Sequence, residues 1–234
     1  MPENEFVYEQ RRLENDRVAI EPFDTSLHAA KFMAAKQAHP ELFDYVMFPE
    51  IETAEEFVRD FYDKHIGPDP SACLYAVIDK TTAAGEHDPT ANYAGTVALT
   101  ATNASNASTE IGVMIFPGFQ RTHVASNAIG LLLLYTLDPP SLGGLGLRRV
   151  QWQCHMGNQS SRKVAERMGF ELEGILRWDK TMPGTMAGLP VEALEKRNGT
   201  SGEPRGRHTT MYSIVWDEWD EKRVKVVEQM ARKK

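Results

Sequence analysis

The chain has 234 residues, enough for one well-buried core, and its 41% hydrophobic and 25% charged residues are the proportions of an ordinary globular protein. A formal net charge of −7 without any Lys/Arg-rich stripe argues against a nucleic-acid partner and favours a cationic one, such as a free amine. The longest apolar run, Ile129 to Leu134, is too short for a bilayer, and Cys73 and Cys154 alone make neither a disulfide framework nor a metal site, so a cytoplasmic protein with no membrane contact and no metal is expected.

The opening run MPENEFVYEQRRLENDR is charged throughout and lacks the apolar stretch of a secretory signal. Residues 1–16 are expected to form a mobile arm or a short strand lead-in, and residues 17–234 a single domain. Arg17–Glu21 alternates like a strand. Asp24, Thr25 and Ser26 offer N-caps to an Ala-rich helix running to about Gln37. Thr53–Glu56 matches a capping box, with Phe57, Phe61 and Ile66 at helical spacing before the stop at Gly67-Pro68. Cys73–Ile78 and Ala94–Ala101 are β-type runs joined by a turn-rich loop, Thr81–Asn92. Thr109–Phe116 is another, ended by Pro117-Gly118 and followed by a helix, Ala125–Leu137. A strand at Arg149–His155 and a helix at Asn158–Met168 come next, the helix closed by Gly169. Phe170–Trp178 reads as a strand with Phe170, Leu172, Gly174 and Leu176 on one face. Residues 181–208 carry many Gly and Pro and are expected to form a long loop with a short helix at Val191–Lys196. Met211–Trp216 is the last strand, and a charged amphipathic helix follows. The order predicts one mixed α/β (α+β) sheet rather than a doubly wound one.

A strand that ends in Pro-Gly and leads into a helix presents free backbone N–H groups at the positive end of the helix dipole, an anion site suited to a pyrophosphate. Arg121 adds a charge-assisted donor beside it. Taken alone, the signal is weak, and the stretch reads more readily as an ordinary βα loop with a solvated Arg. The segment Gln120-Arg121-Thr122-His123-Val124-Ala125 resembles the pyrophosphate loop of GNAT N-acetyltransferases, with His123 where the general pattern has Gly. The block from Asn158 through Ser161-Arg162, Ala165, Gly169-Phe170 and Glu173-Gly174 to Arg177 resembles the RimJ/RimL-like branch of that superfamily. RRVQWQCHMGNQSSR and MYSIVWDEW, with Glu218-Trp219, resemble its fifth strand and its last strand.

The resemblance implies a mostly antiparallel sheet flanked by helices and splayed between a fourth strand (Glu110–Phe116) and a fifth (Arg149–His155). It implies acetyl-CoA as cosubstrate and a primary amine, on a protein N-terminus or a small molecule, as acceptor in a ternary complex. The cofactor contacts so implied are Val113, Met114 and Ile115 on the splayed strand, then Gln120, Arg121, Thr122, His123, Val124, Ala125 and Ser126 at the helix start, with Asn158, Ser161 and Arg162. Ala165 occupies the position where many relatives carry a Tyr as thiolate acid, which makes Ser161 the substitute candidate; helix capping is its alternative role. Candidates for the general base are Glu110, His155 and Asp179, and water can also carry the proton. The 181–208 loop, with Gly184, Gly188, Gly199, Gly202 and Gly206 as hinges and Met182, Met186 and Leu189 as apolar cover, is expected to be an acceptor-side flap or a disordered insertion. A non-catalytic acyl-CoA sensor or interaction module is the alternative function, and both monomer and homodimer are open.

Overall fold

The computed structural model describes residues 5–82, 90–182 and 186–232. Its eight strands are β1 (Leu13–Glu14), β2 (Val18–Pro22), β3 (Cys73–Asp79), β4 (Tyr93–Asn103), β5 (Ser108–Ile115), β6 (Arg149–His155), β7 (Glu171–Met182) and β8 (Arg205–Val215). They form one sheet in the order β1-β2-β3-β4-β5-β6-β8-β7. Every neighbouring pair is antiparallel except β5 and β6, which run parallel. This is the expected mixed, mostly antiparallel sheet. The strand expected as fourth is β5 here, because Leu13–Glu14 adds one at the start. Before it, Val7 N–H donates to the Pro70 carbonyl at 3.0 Å, Gln10 Nε2 donates to Leu74 O at 2.6 Å, and Phe6 is buried in the core.

Seven α-helices flank the sheet among the described residues. In α1 (Thr25–Ala38) the Asp24 carboxylate caps the Ser26 N–H at 2.8 Å. α2 (Ala54–Glu56) starts on the capping box read from the sequence, Glu56 N–H on Thr53 Oγ1 at 3.1 Å and Thr53 N–H on Glu56 Oε2 at 3.2 Å. The chain then widens into a π-helical turn over Phe57–Tyr62 before α3 (Asp63–His65). That turn sets the Phe57 and Phe61 rings 6.2 and 5.1 Å from Phe48, so both aromatic side chains join one apolar layer. α4 (Val124–Leu137), α5 (Gln159–Arg167), α6 (Glu192–Asn198) and α7 (Trp219–Ala231) complete the set. None of the described helices is long and apolar enough to cross a membrane.

The two faces of the sheet bury different cores. On one, α4 and α7 lie over Val18, Ile20, Tyr75, Val77, Val97 and Leu99, and Trp152, Tyr212 and Ile214 extend the same layer toward α5. On the other, α1 and the π turn supply Phe32, Met33 and Phe57 against Ala76, Tyr93 and Phe116. This second cluster takes members from β3, β4 and β5 and none from β6, β7 or β8. The far half of that face is therefore left for polar side chains.

Two expectations are corrected at the sheet's edge. β7 runs four residues past Trp178, and Leu172 and Leu176 are exposed rather than inward. The cause is its register: shifts at Leu172/Gly174 and Leu176/Lys180 break the alternation, as bulges on an edge strand do. At the second shift Trp178 takes φ +52° and its ring lies over Gly206, where a Cβ would collide with it. β8, in turn, begins at Arg205, well before Met211, because Arg207 and Gly206 pair with Lys180 and Thr181. Gly206 is thus a strand residue and Met182 a fully buried one. The remaining connection is tied down: Leu189 exchanges backbone hydrogen bonds with Gly206 at 2.7 and 3.2 Å, and Ala187 N–H donates to Asp44 O at 3.0 Å. The expected short helix is α6, closed by Gly199 at φ +70°. Gly184 lies outside the described residues.

Candidate active site

β5 keeps its partner β4 as far as Ile115, and β6 keeps β8 as far as His155. Between them β5 and β6 pair only over Ser108–Glu110 and Arg149–Gln151. Each strand follows its own outer neighbour, so a V-shaped gap opens from Glu110 onward. Among the described residues, the β6-facing backbone edge of Ile111–Ile115 has no strand beside it. α4 and α5 both start beyond the C-terminal ends of these strands, so two helix N-termini stand at the open end of the V.

At the first, Gln120 Nε2 donates to Ile115 O at 2.9 Å, and Thr122 Oγ1 donates to Phe119 O at 2.6 Å while accepting Val124 N–H at 3.2 Å. It is Arg121, at φ +58°, that adopts the left-handed conformation a Gly would suit, at a cost on the order of 1 kcal/mol. His123, at φ −71°, is helical, and its Nε2 lies 3.2 Å from the buried Asp79 carboxylate, which fastens the helix start to β3. The Ala125 and Ser126 N–H groups have no acceptor among the described residues, so the first turn of α4 can receive an anion.

At the second terminus Asn158 is the N-cap, its Oδ1 accepting Ser161 N–H at 3.0 Å. Ser161 is therefore not the cap. Its Oγ accepts from Trp152 Nε1 at 3.0 Å, which leaves its own hydrogen for another acceptor. Arg162 Nε donates to the Tyr212 hydroxyl at 3.2 Å. Ala165 is fully buried, so no acid side chain stands at that position. Of the other predicted contacts, Met114 packs in the α1-side core and Val113 and Ile115 on the opposite face, leaving β5 only its backbone edge for a ligand in the gap.

The polar half of the α1 face forms the floor. Pairing puts Glu110 beside Gln151, and His155 beside Thr209, so Glu110, Gln151, Gln153, His155, Thr209 and Arg207 share one face. Burial raises the Glu110 carboxyl above its ordinary value, opposed by Lys180 and Arg207 and by the Gln153 side chain. Asp179 is engaged, its Oδ2 accepting Thr209 Oγ1–H at 2.8 Å, while Thr209 Oγ1 accepts Arg207 Nε at 2.9 Å. The His155 Nδ1 accepts Gly157 N–H at 2.9 Å, so the neutral ring carries its hydrogen on Nε2. Burial, with Arg207 and His208 adding to it, holds His155 below the ordinary histidine value. The three proposed bases thus share a neighbourhood but not a state. Of the three, only Glu110 has a pKa shifted upward.

Arg207 and Thr209 were not foreseen. They fall in a Gly-, Arg- and His-rich stretch that reads as loop; the signal available was the alternation of RGRHTTMYSIV, which continues the last strand backwards.

The sequence profile described as "Acetyltransferase (GNAT) domain" matches residues 17–171. The uncharacterized N-acetyltransferase YoaA of Bacillus subtilis is 30% identical over 111 residues, 47% of this chain and 60% of that protein, so the chain spans less than two thirds of that curated relative. A crystal structure of a GCN5-related N-acetyltransferase from Brucella melitensis superposes with a TM-score of 0.74 at 27% identity, covering 96% of this chain and 87% of the other. Mycobacterium smegmatis RimJ in complex with CoA-disulfide shares the fold, with a TM-score of 0.63 at 15% identity over 90% of this chain and 88% of RimJ. Profile, strand order and parallel splay agree: the chain belongs to the GNAT acetyltransferase family, acyltransferases that use acetyl-CoA.

Proposed function

We propose that this chain moves an acetyl group from acetyl-CoA to a primary amine, on a protein N-terminus or a small molecule, by direct transfer in a ternary complex. The observation that carries the reading is the V between β5 and β6, which has uncapped helix donors at its open end and a desolvated carboxylate at its apex. Acetyl-CoA suits the residues present. The Ala125 and Ser126 N–H groups with Arg121 would take the pyrophosphate, the open edge of β5 the amide-bearing arm, and Asn158 and Ser161 the end nearest sulfur. Glu110 takes the proton of the acceptor ammonium. The freed nitrogen lone pair then attacks the thioester carbonyl carbon, the N–C bond forms, and the C–S electrons leave with sulfur. The Ser161 hydroxyl hydrogen-bonds the developing thiolate, which takes the second proton from the acylated nitrogen, so that the products are the amide, the CoA thiol and protonated Glu110. A desolvated carboxylate with a raised pKa is a better base near neutrality than a solvated one.

The experiment is turnover against an amine panel, read as CoA release. Glu110→Gln is expected to lower kcat by about 10²–10⁴-fold with KM for acetyl-CoA held. Ser161→Ala lowers kcat with the same KM, since its contact strengthens only as charge develops on sulfur. Arg121→Glu instead weakens acetyl-CoA binding. Wild-type kcat in Glu110→Gln would remove that residue from the chemistry. Stabilisation by acetyl-CoA, about 2.7 kcal/mol at a hundred times its Kd, without turnover of any amine would leave a sensor or binding module.

A further inference from the structure

The floor of the groove holds two donors that the transfer chemistry does not use. Arg207 is 7% exposed, and among the described residues no carboxylate forms an ion pair with it. Its side-chain hydrogen bond among the described residues is to the Thr209 hydroxyl, which passes the contact on to Asp179. His155 is 6% exposed, and its Nε2–H has no hydrogen-bond partner among the described residues. The two share a face: His155 pairs with Thr209, and Arg207 is the next same-face residue along β8. Tyr45 closes over the imidazole at a ring distance of 5.1 Å, and the Ala187–Asp44 hydrogen bond holds the β7–β8 connection to the same turn.

A buried guanidinium without a counter-ion is costly, and so is a buried N–H with no acceptor. Both costs are relieved by one anion that accepts from Arg207 and from His155 Nε2. Glu110 and Asp179 are close enough to act on Arg207 through charge, yet neither is in contact with it. Burial lowers the Arg207 pKa despite them, so its charge is under-compensated.

We infer that Arg207 and His155 form a carboxylate subsite, so that the acceptor is a small amino acid whose ammonium faces Glu110 and whose carboxylate faces Arg207 and His155. This deepens the transfer reading and rests on it. The zwitterion matches the floor charge for charge: carboxylate base on β5, cationic and N–H donors on β8 and β6. Because both donors are more than nine-tenths buried, the group that reaches them is a small terminal one. A peptide N-terminus has a neutral amide where that carboxylate sits, and it leaves the guanidinium unpaired.

The test uses full-length protein with acetyl-CoA and three matched acceptors for each proteinogenic side chain: the free amino acid, its primary amide and the amine lacking the carboxyl carbon. Amino-acid binding to the CoA-loaded protein is followed in parallel by calorimetry, which needs no turnover. The expected result is at least a tenfold lower KM for the best amino acid than for its amide. In Arg207→Gln that preference disappears, because kcat/KM falls at least tenfold more for the amino acid than for the amide or the decarboxylated amine; Arg207→Lys restores part of it. His155→Gln, which keeps a donor, retains more of the preference than His155→Phe. Preference for the primary amides, or a carboxylate preference that survives in folded Arg207→Gln, overturns the subsite while leaving acetyl transfer standing. Amino-acid binding that depends on Arg207 without any acetylation has the opposite meaning: the subsite holds and the transfer reading fails.

Discussion

The α1 face of the sheet has two halves that obey opposite rules. Over β3, β4 and β5 it is sealed by Phe32, Phe43, Phe48 and Phe57, rings packed 5.0 to 6.2 Å apart. Over β6 and β8 it carries Gln151, Gln153, His155, Thr209 and Arg207 and no helix-borne apolar layer. The first half has every incentive to stay closed, since its aromatic side chains gain by leaving water. The second keeps desolvated polar groups that cost stability unless something binds. The boundary is Glu110, at the last paired position before the splay. Stability and chemistry are thus assigned to adjacent strands of one surface, and a mutation's effect is set by the side of that boundary on which it falls.

The largest effect expected is in the sealed half. Phe57→Ala removes a ring that is 1% exposed and should lower unfolding free energy by about 3–5 kcal/mol, read from urea midpoints. A loss below about 1 kcal/mol would mean that this half is not the stability centre. Acid comes next, and it touches both halves. His28, under Phe23 and Tyr93, accepts Asp24 N–H through Nδ1, and burial holds its pKa below the ordinary value against Glu21 and Asp24. His155 is depressed in the same direction. A histidine with a lowered folded pKa binds fewer protons than in the unfolded chain, so stability is full above the ordinary value of 6.5 and is lost as pH falls through it. Urea titrations at pH 7.5 and 5.5 should show that drop, and His28→Gln should shrink it.

Glu110 carries the opposite sign. Its folded pKa is raised, so the folded state holds the proton longer, and the ionised carboxylate costs stability above that range. Glu110→Gln should therefore melt higher than wild type at neutral pH while losing turnover, the trade expected of a strained catalytic group. An unchanged or lower melting temperature would make Glu110 an ordinary surface acid. The smallest effect is expected on the open floor. Gln153→Ala, at a half-buried site without an apolar layer, should shift unfolding free energy by no more than about 0.5 kcal/mol in either direction.

Much of this division was legible in the residues. The capping box at Thr53–Glu56, the Pro117-Gly118 strand end and the Asn158–Gly169 helix each rest on local backbone needs, and local needs are written locally. The branch-like blocks placed both helix N-termini at the gap. The failures are tertiary. The alternation Phe170–Leu172–Gly174–Leu176 is cancelled by two register shifts that only the pairing with β8 reveals. The π turn at Phe57–Tyr62 is set by where Phe48 waits, and sequence spacing carries no word of it. Arg207 was hidden because a buried arginine in a strand looks like a solvated one in a loop, and only Lys180, Thr181 and Thr209 beside it give it away. Ser161 reads from sequence as a candidate cap, a role that Asn158 fills, and its bond to Trp152 joins residues nine apart across strand and helix.

The splay between β5 and β6 also has a signature in time. β5 sits at the middle of an eight-stranded sheet, where amides ordinarily exchange with solvent only when the whole fold opens. From Ile111 to Ile115, however, only the amides turned toward β4 have a strand to shelter them. Alternate positions along one central strand should then differ sharply in hydrogen–deuterium exchange, slow toward β4 and fast toward the gap. The slot is a narrow stretch of solvent-speed backbone inside the slowest-exchanging part of the molecule, and whatever occupies it will be seen first as the disappearance of that contrast.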